Sequence, residues 1–337
     1  MDNLRNLLWI PGALLVLAVL LDALLSCLQS GEGRLSGWVH RRIYAAVRWV
    51  VRVTGQRSWL AWSTFALIFG TLLTWTALLW LGWTLVFWAQ PGALEVAKTG
   101  KAASFADTVY FVGYTISTLG LGDIVASSDL WKILTDFTAI FGFFLLTFAI
   151  TFIVPVAQAR SARRQFALTV YRAGPTAQEL VVNAMHDYPD GLQGLLDSLH
   201  SRLNMLDAQH LSTPNLHRFH SRDRRESLDA ALPVLGEALL IIGGALQEDA
   251  PKALRLSLDS VDSLTRSYEH VYSGPEVSIP PPPDLQALRE AGVPLRSATE
   301  FAAYLHAYQD LRRRLHSMAG SGHWRWDEIA QVDASRR

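Results

Sequence analysis

The sequence predicts an all-α membrane protein that carries a soluble helical tail. Three observations lead there. Apolar runs at residues 7–28, 59–88 and 130–157 are each long enough to cross a bilayer, which takes about 20 such residues. Between the second and third lies a shorter apolar segment, residues 105–117, followed by the run Thr118-Leu119-Gly120-Leu121-Gly122-Asp123. Residues 158–337 hold 20 Lys+Arg against 22 Asp+Glu, a composition suited to water.

The first run (within a region 1–30) is broken only by Pro11 near its start and Asp22 near its end. A carboxylate inside a span is costly, and Asp22 sits close enough to the end to be read as reaching the headgroup region. The run is too long, and its start too weakly basic, for a cleaved signal. Residues 31–58 are basic, with Arg34, Arg41, Arg42, Arg48, Arg52 and Arg57 against Glu32 alone. Trp38, Val39, Ile43, Val47, Val50, Val51 and Val53 intersperse with them. This is the pattern of an amphipathic helix on a membrane surface, with anionic lipid as the partner of Arg41, Arg42, Arg48 and Arg52. Arginine spacing is irregular and no acidic helices precede it, which argues against a voltage sensor. A net charge of zero gives no field to attract nucleic acid, and the lone Cys27 excludes an intrachain disulfide.

Residues 59–88 are uncharged, with tryptophans towards both ends as at membrane interfaces. A polar turret, 90–103, follows. Ser104-Phe105-Ala106-Asp107 reads as a capping box opening a helix that ends near Ile116. That helix is too short to cross, so it must re-enter the membrane inside protein or beside water. Its carbonyl end would favour a cation.

Gly120 and Gly122 stand where a strand must turn successive carbonyls to one side. That requires alternating right- and left-handed backbone, and glycine reaches φ > 0 freely. The run, entered by Ser117-Thr118 and left through Asp123, resembles the selectivity filter of potassium channels, whose carbonyls replace an ion's hydration shell. The resemblance covers roughly residues 59–157. It implies a potassium-channel-like pore module of outer helix, re-entrant pore helix with filter, and inner helix. Thr118, Leu119, Gly120 and Leu121 would line the filter, Gly122 would close it and Asp123 would anchor its outer end. Leu121 stands where tyrosine is usual, as in second pore segments of two-pore-domain channels. Tyr110 and Phe111 occupy the place of a common tryptophan pair. Tyr114 occupies that of a glutamate, where it is expected to bond Asp123. Together Tyr110, Phe111 and Tyr114 are the expected filter support.

In the inner helix, Asp136 is expected to face protein or the turret and not lipid, and Gly142 to serve either as a bend or as a close packing point. Pro155 removes one helix hydrogen bond. Phe141, Phe144, Phe148 and Phe152 form a stripe expected to pack on the outer helix, with constriction of the inner mouth as the alternative. Candidate gating positions are therefore Gly142, Phe152 and Pro155. Arg160, Arg163 and Arg164 follow, and with the 31–58 segment they set the amino terminus outside and the tail in the cytoplasm.

The tail shows apolar residues at helical spacing in 177–206, 228–246, 253–272 and 298–316, hence a helical bundle. Residues 273–284, with Pro280 to Pro283, read as an extended linker. Ser297 and Glu300 cap the last helix. No G-x-G-x-x-G follows a strand, and neither a nucleotide-binding nor a cyclic-nucleotide domain is visible. His217-x-x-His220 with His210 nearby offers a metal or pH site, against the commoner reading of scattered surface histidines. No nucleophile, base and metal constellation marks an enzyme, and no cofactor is expected beyond a permeant potassium ion. The resemblance implies a homotetrameric potassium channel of the cell membrane. The alternatives are a weakly selective cation channel, suggested by Leu121, and a non-conducting sensor acting through its tail.

Overall fold

The computed structural model of the chain describes residues 5–28, 33–56, 58–187, 190–212, 221, 223–271 and 277–330. Arg57, His217 and His220 fall outside them. The chain divides into two compact units: residues Met1–Ala46 with Phe65–Pro155, and Val47–Thr64 with Val156–Arg337. The membrane half runs α1 (Trp9–Leu28), α2 (Arg34–Thr54), α3 (Ser58–Ala89), β1 (Leu94–Val96), α4 (Phe105–Ile116), β2 (Ile124–Ala126) and α5 (Asp129–Ala173). Among the described residues, α1, α3 and α5 are the helices long and apolar enough to cross a membrane.

In the first unit α1 and α3 cross at two glycines. A methyl on Gly12 would lie 2.6 Å from the Gly82 carbonyl oxygen, and one on Gly82 3.0 Å from that of Gly12. Lipid tails are as apolar as leucine, so helices in a membrane are held by close packing, which small residues permit. Val16, Val19, Trp75, Leu79, Phe87, Phe111 and Leu145 form the interior of this unit.

Asp22 does not reach for the headgroups. It is 4% exposed, and its carboxylate accepts from the backbone N–H groups of Leu35 (2.8 Å) and Ser36 (3.1 Å). It also accepts from the Ser36 hydroxyl (2.5 Å) and from the Trp75 indole N–H (2.9 Å). Asp22 thus caps the amino end of α2 from another helix, where unsatisfied N–H groups and the helix dipole favour an anion. The sequence could not show this, because which helix end a carboxylate on α1 meets is a tertiary matter.

The basic helix α2 also differs from its expectation. Val39, His40 and Ile43 face α3 instead of lipid. The His40 Nε2 is hydrogen-bonded to Thr71 Oγ1 (2.8 Å), a hydroxyl that also donates to the Leu67 carbonyl. Ile43 packs over Gly70, where a methyl would lie 2.4 Å from its Cδ1. Trp38, Arg41 and Arg42 stay exposed.

α5 runs sixteen residues past the expected end at Ala157, straight through Pro155. Residues 158–173 are polar but rich in alanine, arginine and glutamine, which sustain a helix outside the apolar region. In the second unit the bundle follows: α6 (Ala177–Asp187), α7 (Gly191–Ser212), α8 (Leu228–Gly244), α9 (Ala253–Val271), α10 (Gln286–Glu290), α11 (Ala298–Ala307), α12 (Gln309–Ser321) and α13 (Trp326–Ala330). The expected 177–206 and 298–316 helices are each two, broken at Asp190-Gly191, both at positive φ, and at Tyr308. α11 opens with the expected Ser297–Glu300 capping box.

α8 is the centre of the bundle and is buried on all sides, as a helix apolar all round must be. Its Glu237 is fully buried and pairs with Arg312 of α12 through two hydrogen bonds, at 2.8 and 3.2 Å. Arg312 also donates to the carbonyls of Pro280 (3.0 Å) and Pro281 (2.6 Å). The proline run is therefore strapped to the domain. Gln178 adds a bond to the Asp284 carbonyl (2.8 Å).

Arg163, counted above as a membrane flank, is buried in the second unit. It donates to the Tyr268 hydroxyl and lies 3.8 Å from the Asp229 carboxylate. His210 stacks on Tyr268, ring centroids 4.3 Å apart and nearly parallel. Burial, then the Arg163 charge, push its pKa down to about 4. The folded state thus holds His210 neutral where an unfolded chain, with an ordinary value near 6.5, would protonate it. Between those values the unfolded state binds more protons, so stability falls as pH drops through that window. The loss approaches roughly 3 kcal/mol below pH 4. Protection of the α9 amides in the intact protein, taken relative to the intrinsic exchange rate at each pH, should fall from pH 6.5 to 4, and His210→Phe should flatten that slope. An unchanged slope would place the acid sensitivity elsewhere.

Candidate ion-conduction site

The site is built on α4. Ser104 Oγ accepts from the Asp107 N–H (3.2 Å), and the Asp107 carboxylate accepts from the Ser104 N–H (2.9 Å), closing the expected capping box. Twelve residues make about 18 Å of helix, well short of a hydrocarbon core of about 30 Å. Protein encloses it on one side. The Trp80 indole donates to the Val109 carbonyl (2.8 Å), and the same ring lies where a methyl on Gly113 would come within 2.7 Å. Phe111 meets Phe87 edge-on at 5.3 Å.

The chain leaves α4 through a tight hydrogen-bonded turn, Thr118 N–H to Thr115 O (3.0 Å) and Leu119 N–H to Tyr114 O (2.9 Å). Then Thr118, Gly120 and Gly122 all have positive φ, of 58°, 58° and 76°. Every second residue of the run is therefore left-handed, the alternation that turns successive carbonyls to one side. Reading the sequence found the two glycines. It missed Thr118, whose side chain makes this conformation costly by about 1–3 kcal/mol, a strain typical of functional backbone. No sequence signal marks it, since threonine ordinarily avoids that region.

The support residues are brought together, with one change of partner. The Tyr114 hydroxyl donates to the Ile124 carbonyl (2.6 Å), not to Asp123. Tyr110 stands edge-on to Tyr114 at 5.2 Å, and its hydroxyl is the one within hydrogen-bonding reach of the Asp123 carboxylate, whose charge both tyrosines feel. The change follows from helical spacing: Tyr110 lies one turn earlier on α4, level with the outer end of the run. Asp123 stays local, accepting from the Ile124 N–H (3.1 Å), while its carbonyl accepts from Ala97 N–H (2.9 Å). β1 and β2 then pair antiparallel, Val96 opposite Ile124 and Leu94 opposite Ala126, so the turret is stitched to the outer mouth. This two-stranded sheet was not foreseen. Three-residue strands carry too little alternation to be read.

α5 closes the site from behind. Gly142 faces the end of α4, and a methyl there would lie 2.1 Å from the Ile116 carbonyl oxygen. That contact accounts for a glycine without any bend. Phe152 meets Trp75 edge-on at 5.7 Å, and Phe141 meets Trp83 at 5.8 Å, so these rings pack on α3. Phe144 remains exposed. Pro155 lies within the continuous helix. A cavity of about 430 Å³ flanks the run, lined by Thr118, Gly120, Gly122, Tyr114, Lys132 and Asp136. Asp136 thus lines the cavity beside the run, a place distinct from the turret. Among the described residues no cluster of three or more His, Cys, Asp or Glu could hold a metal.

Comparison with known proteins bears on this geometry. A family model described as "Ion channel" matches residues 59–159. A membrane protein of Bacillus subtilis (strain 168), the uncharacterized YdjJ, is 30% identical over 325 residues, covering 94% of each chain. No solved structure matches.

Proposed function

Because the chain belongs to the potassium-channel-like pore-module family of ion channels, and matches YdjJ over 94% of its length, we propose that it conducts potassium passively through a pore of four copies. The observation that carries this reading is the left-handed alternation at Thr118, Gly120 and Gly122. One such strand cannot surround an ion, and four around an axis can. Leu119 and Leu121, 66% and 55% exposed on the single chain, are then covered by neighbouring copies. The Thr118 hydroxyl adds an oxygen ring at the inner mouth, and Asp123 holds the outer end. Potassium preference follows from carbonyl oxygens replacing the hydration shell.

The basic flanks support a cell-membrane orientation with the amino terminus outside and the tail in the cytoplasm. Anionic lipid is the partner proposed for Arg41, Arg42, Arg48 and Arg52. One observation favours a second reading, weaker selectivity: Leu121 has no hydroxyl with which to brace the filter, and the Tyr114–Ile124 bond braces only its outer end.

The test is ion flux into liposomes holding the purified chain. Potassium flux is expected to exceed sodium flux by about tenfold or more, with Gly120→Ala abolishing it, because alanine resists φ > 0. Equal sodium flux would establish the weakly selective channel. No flux under any voltage or pH would leave a sensor acting through its tail.

A further inference from the structure

We propose that α2 senses anionic phospholipid for the pore module, and that Asp22 is the joint through which it acts on α3. This rests on the channel reading and adds a regulation to it.

The ligand chemistry comes from the exposed face of α2. Trp38, Arg41 and Arg42 point outward there, and the Arg42 guanidinium lies 5.5 Å over the Trp38 ring. Arg48, Trp49 and Arg52 continue the exposed pattern along the helix. Its twenty-one residues include no acid. The helix joins two spans, α1 and α3, so it meets the surface of the bilayer. Arginine among tryptophan suits phosphate headgroups above an apolar boundary. A nucleic acid would ask for no such tryptophans at a membrane edge.

The coupling comes from the opposite face. His40 and Ile43 are seated on Thr71 and Gly70 of α3. At the amino end the Asp22 carboxylate holds Leu35 and Ser36 of α2 and Trp75 of α3 at once. There is little slack, since a methyl on Gly33 would lie 2.1 Å from Asp22 Oδ1. Trp75 in turn meets Phe152 of the inner helix. A displacement of α2 by bound headgroups therefore reaches α5 through one carboxylate and one indole.

The experiment compares potassium flux by the full-length protein in neutral phosphatidylcholine vesicles and in vesicles one quarter phosphatidylglycerol, with bound lipid read by mass spectrometry. The anionic surface itself concentrates cations equally for every variant, so each anionic-to-neutral flux ratio is divided by that of gramicidin in the same vesicles, which removes the surface effect. Wild type is expected to show a ratio differing from one by about fivefold, the scale of one arginine at an anionic surface. Arg41→Gln with Arg42→Gln should bring the ratio to about one and strip phosphatidylglycerol from the protein. Asp22→Asn should also bring it to about one while keeping the lipid. Trp75→Phe, which removes only the indole N–H, should act in the same direction should Asp22→Asn fold poorly. A wild-type ratio of one, with flux that Gly120→Ala still abolishes, overturns the sensor and leaves the channel. Unchanged lipid retention in the double arginine variant overturns the binding face. Absence of flux in both lipids tells against the channel reading, and lipid retention then still decides the site.

Discussion

Replacing Gly142 with alanine is expected to lower potassium flux by about tenfold or more and to erode the preference for potassium over sodium. The added methyl would stand 2.1 Å from the Ile116 carbonyl oxygen, far inside contact distance. Overpacking at a close contact costs about 1–3 kcal/mol when side chains can adjust, and more when they cannot. Here the obstacle is backbone at the last turn of α4, two residues before Thr118. Relief therefore comes only by shifting the foot of the filter or the helix behind it. On the proposed channel reading, both outcomes alter the carbonyl alignment on which dehydration of the ion would depend. Flux assays in potassium and in sodium, beside wild type, check this. Reduced flux with selectivity intact would point to a hinge at Gly142 in place of a packing contact.

Arg312→Met is expected to destabilise the second unit by about 3–5 kcal/mol, the usual effect of removing one partner from a buried ion pair. Glu237 would stay fully buried on α8 with its counter-charge gone, and the Pro280 and Pro281 carbonyls would lose their donor. Amide exchange along α8 in the intact protein reports it. Glu237→Leu combined with Arg312→Met should recover much of the loss, because the pair itself offsets a large desolvation cost. A pH signature accompanies the single variant. Burial already raises the Glu237 pKa despite Arg312. Without the arginine it rises further, so Arg312→Met is least destabilised when the carboxyl is protonated. Its penalty is small in acid, near or below an ordinary carboxyl value of about 4.3, and grows as pH rises through the folded-state value. An α8 indifferent to the substitution would show that the pair carries no stability.

Much of the site could be read directly because its chemistry is local. Ser104 and Asp107 are three residues apart and form their capping box within one turn. Gly120 and Gly122 declare a left-handed backbone by their own lack of a side chain. Partners across helices were harder. Tyr114 was expected on Asp123 and bonds Ile124, a difference of one residue decided by how the exit strand turns. Thr118 joined the left-handed positions although its residue type argues against them.

The sequence by itself determined three helices long and apolar enough to span, the short capped helix α4, the left-handed glycines of the run after it and a helical tail. Each depends on hydrophobic length, on helical period or on glycine, all properties of short stretches of chain. Only the tertiary structure decided what became of the charges in apolar surroundings. Asp22 became the cap of α2, Arg163 turned into the second unit, and Glu237 found Arg312 seventy-five residues away. A buried charge must be compensated by several donors or a counter-charge. Those groups arrive from separate helices, so their identity is fixed by packing and not by any neighbouring residue.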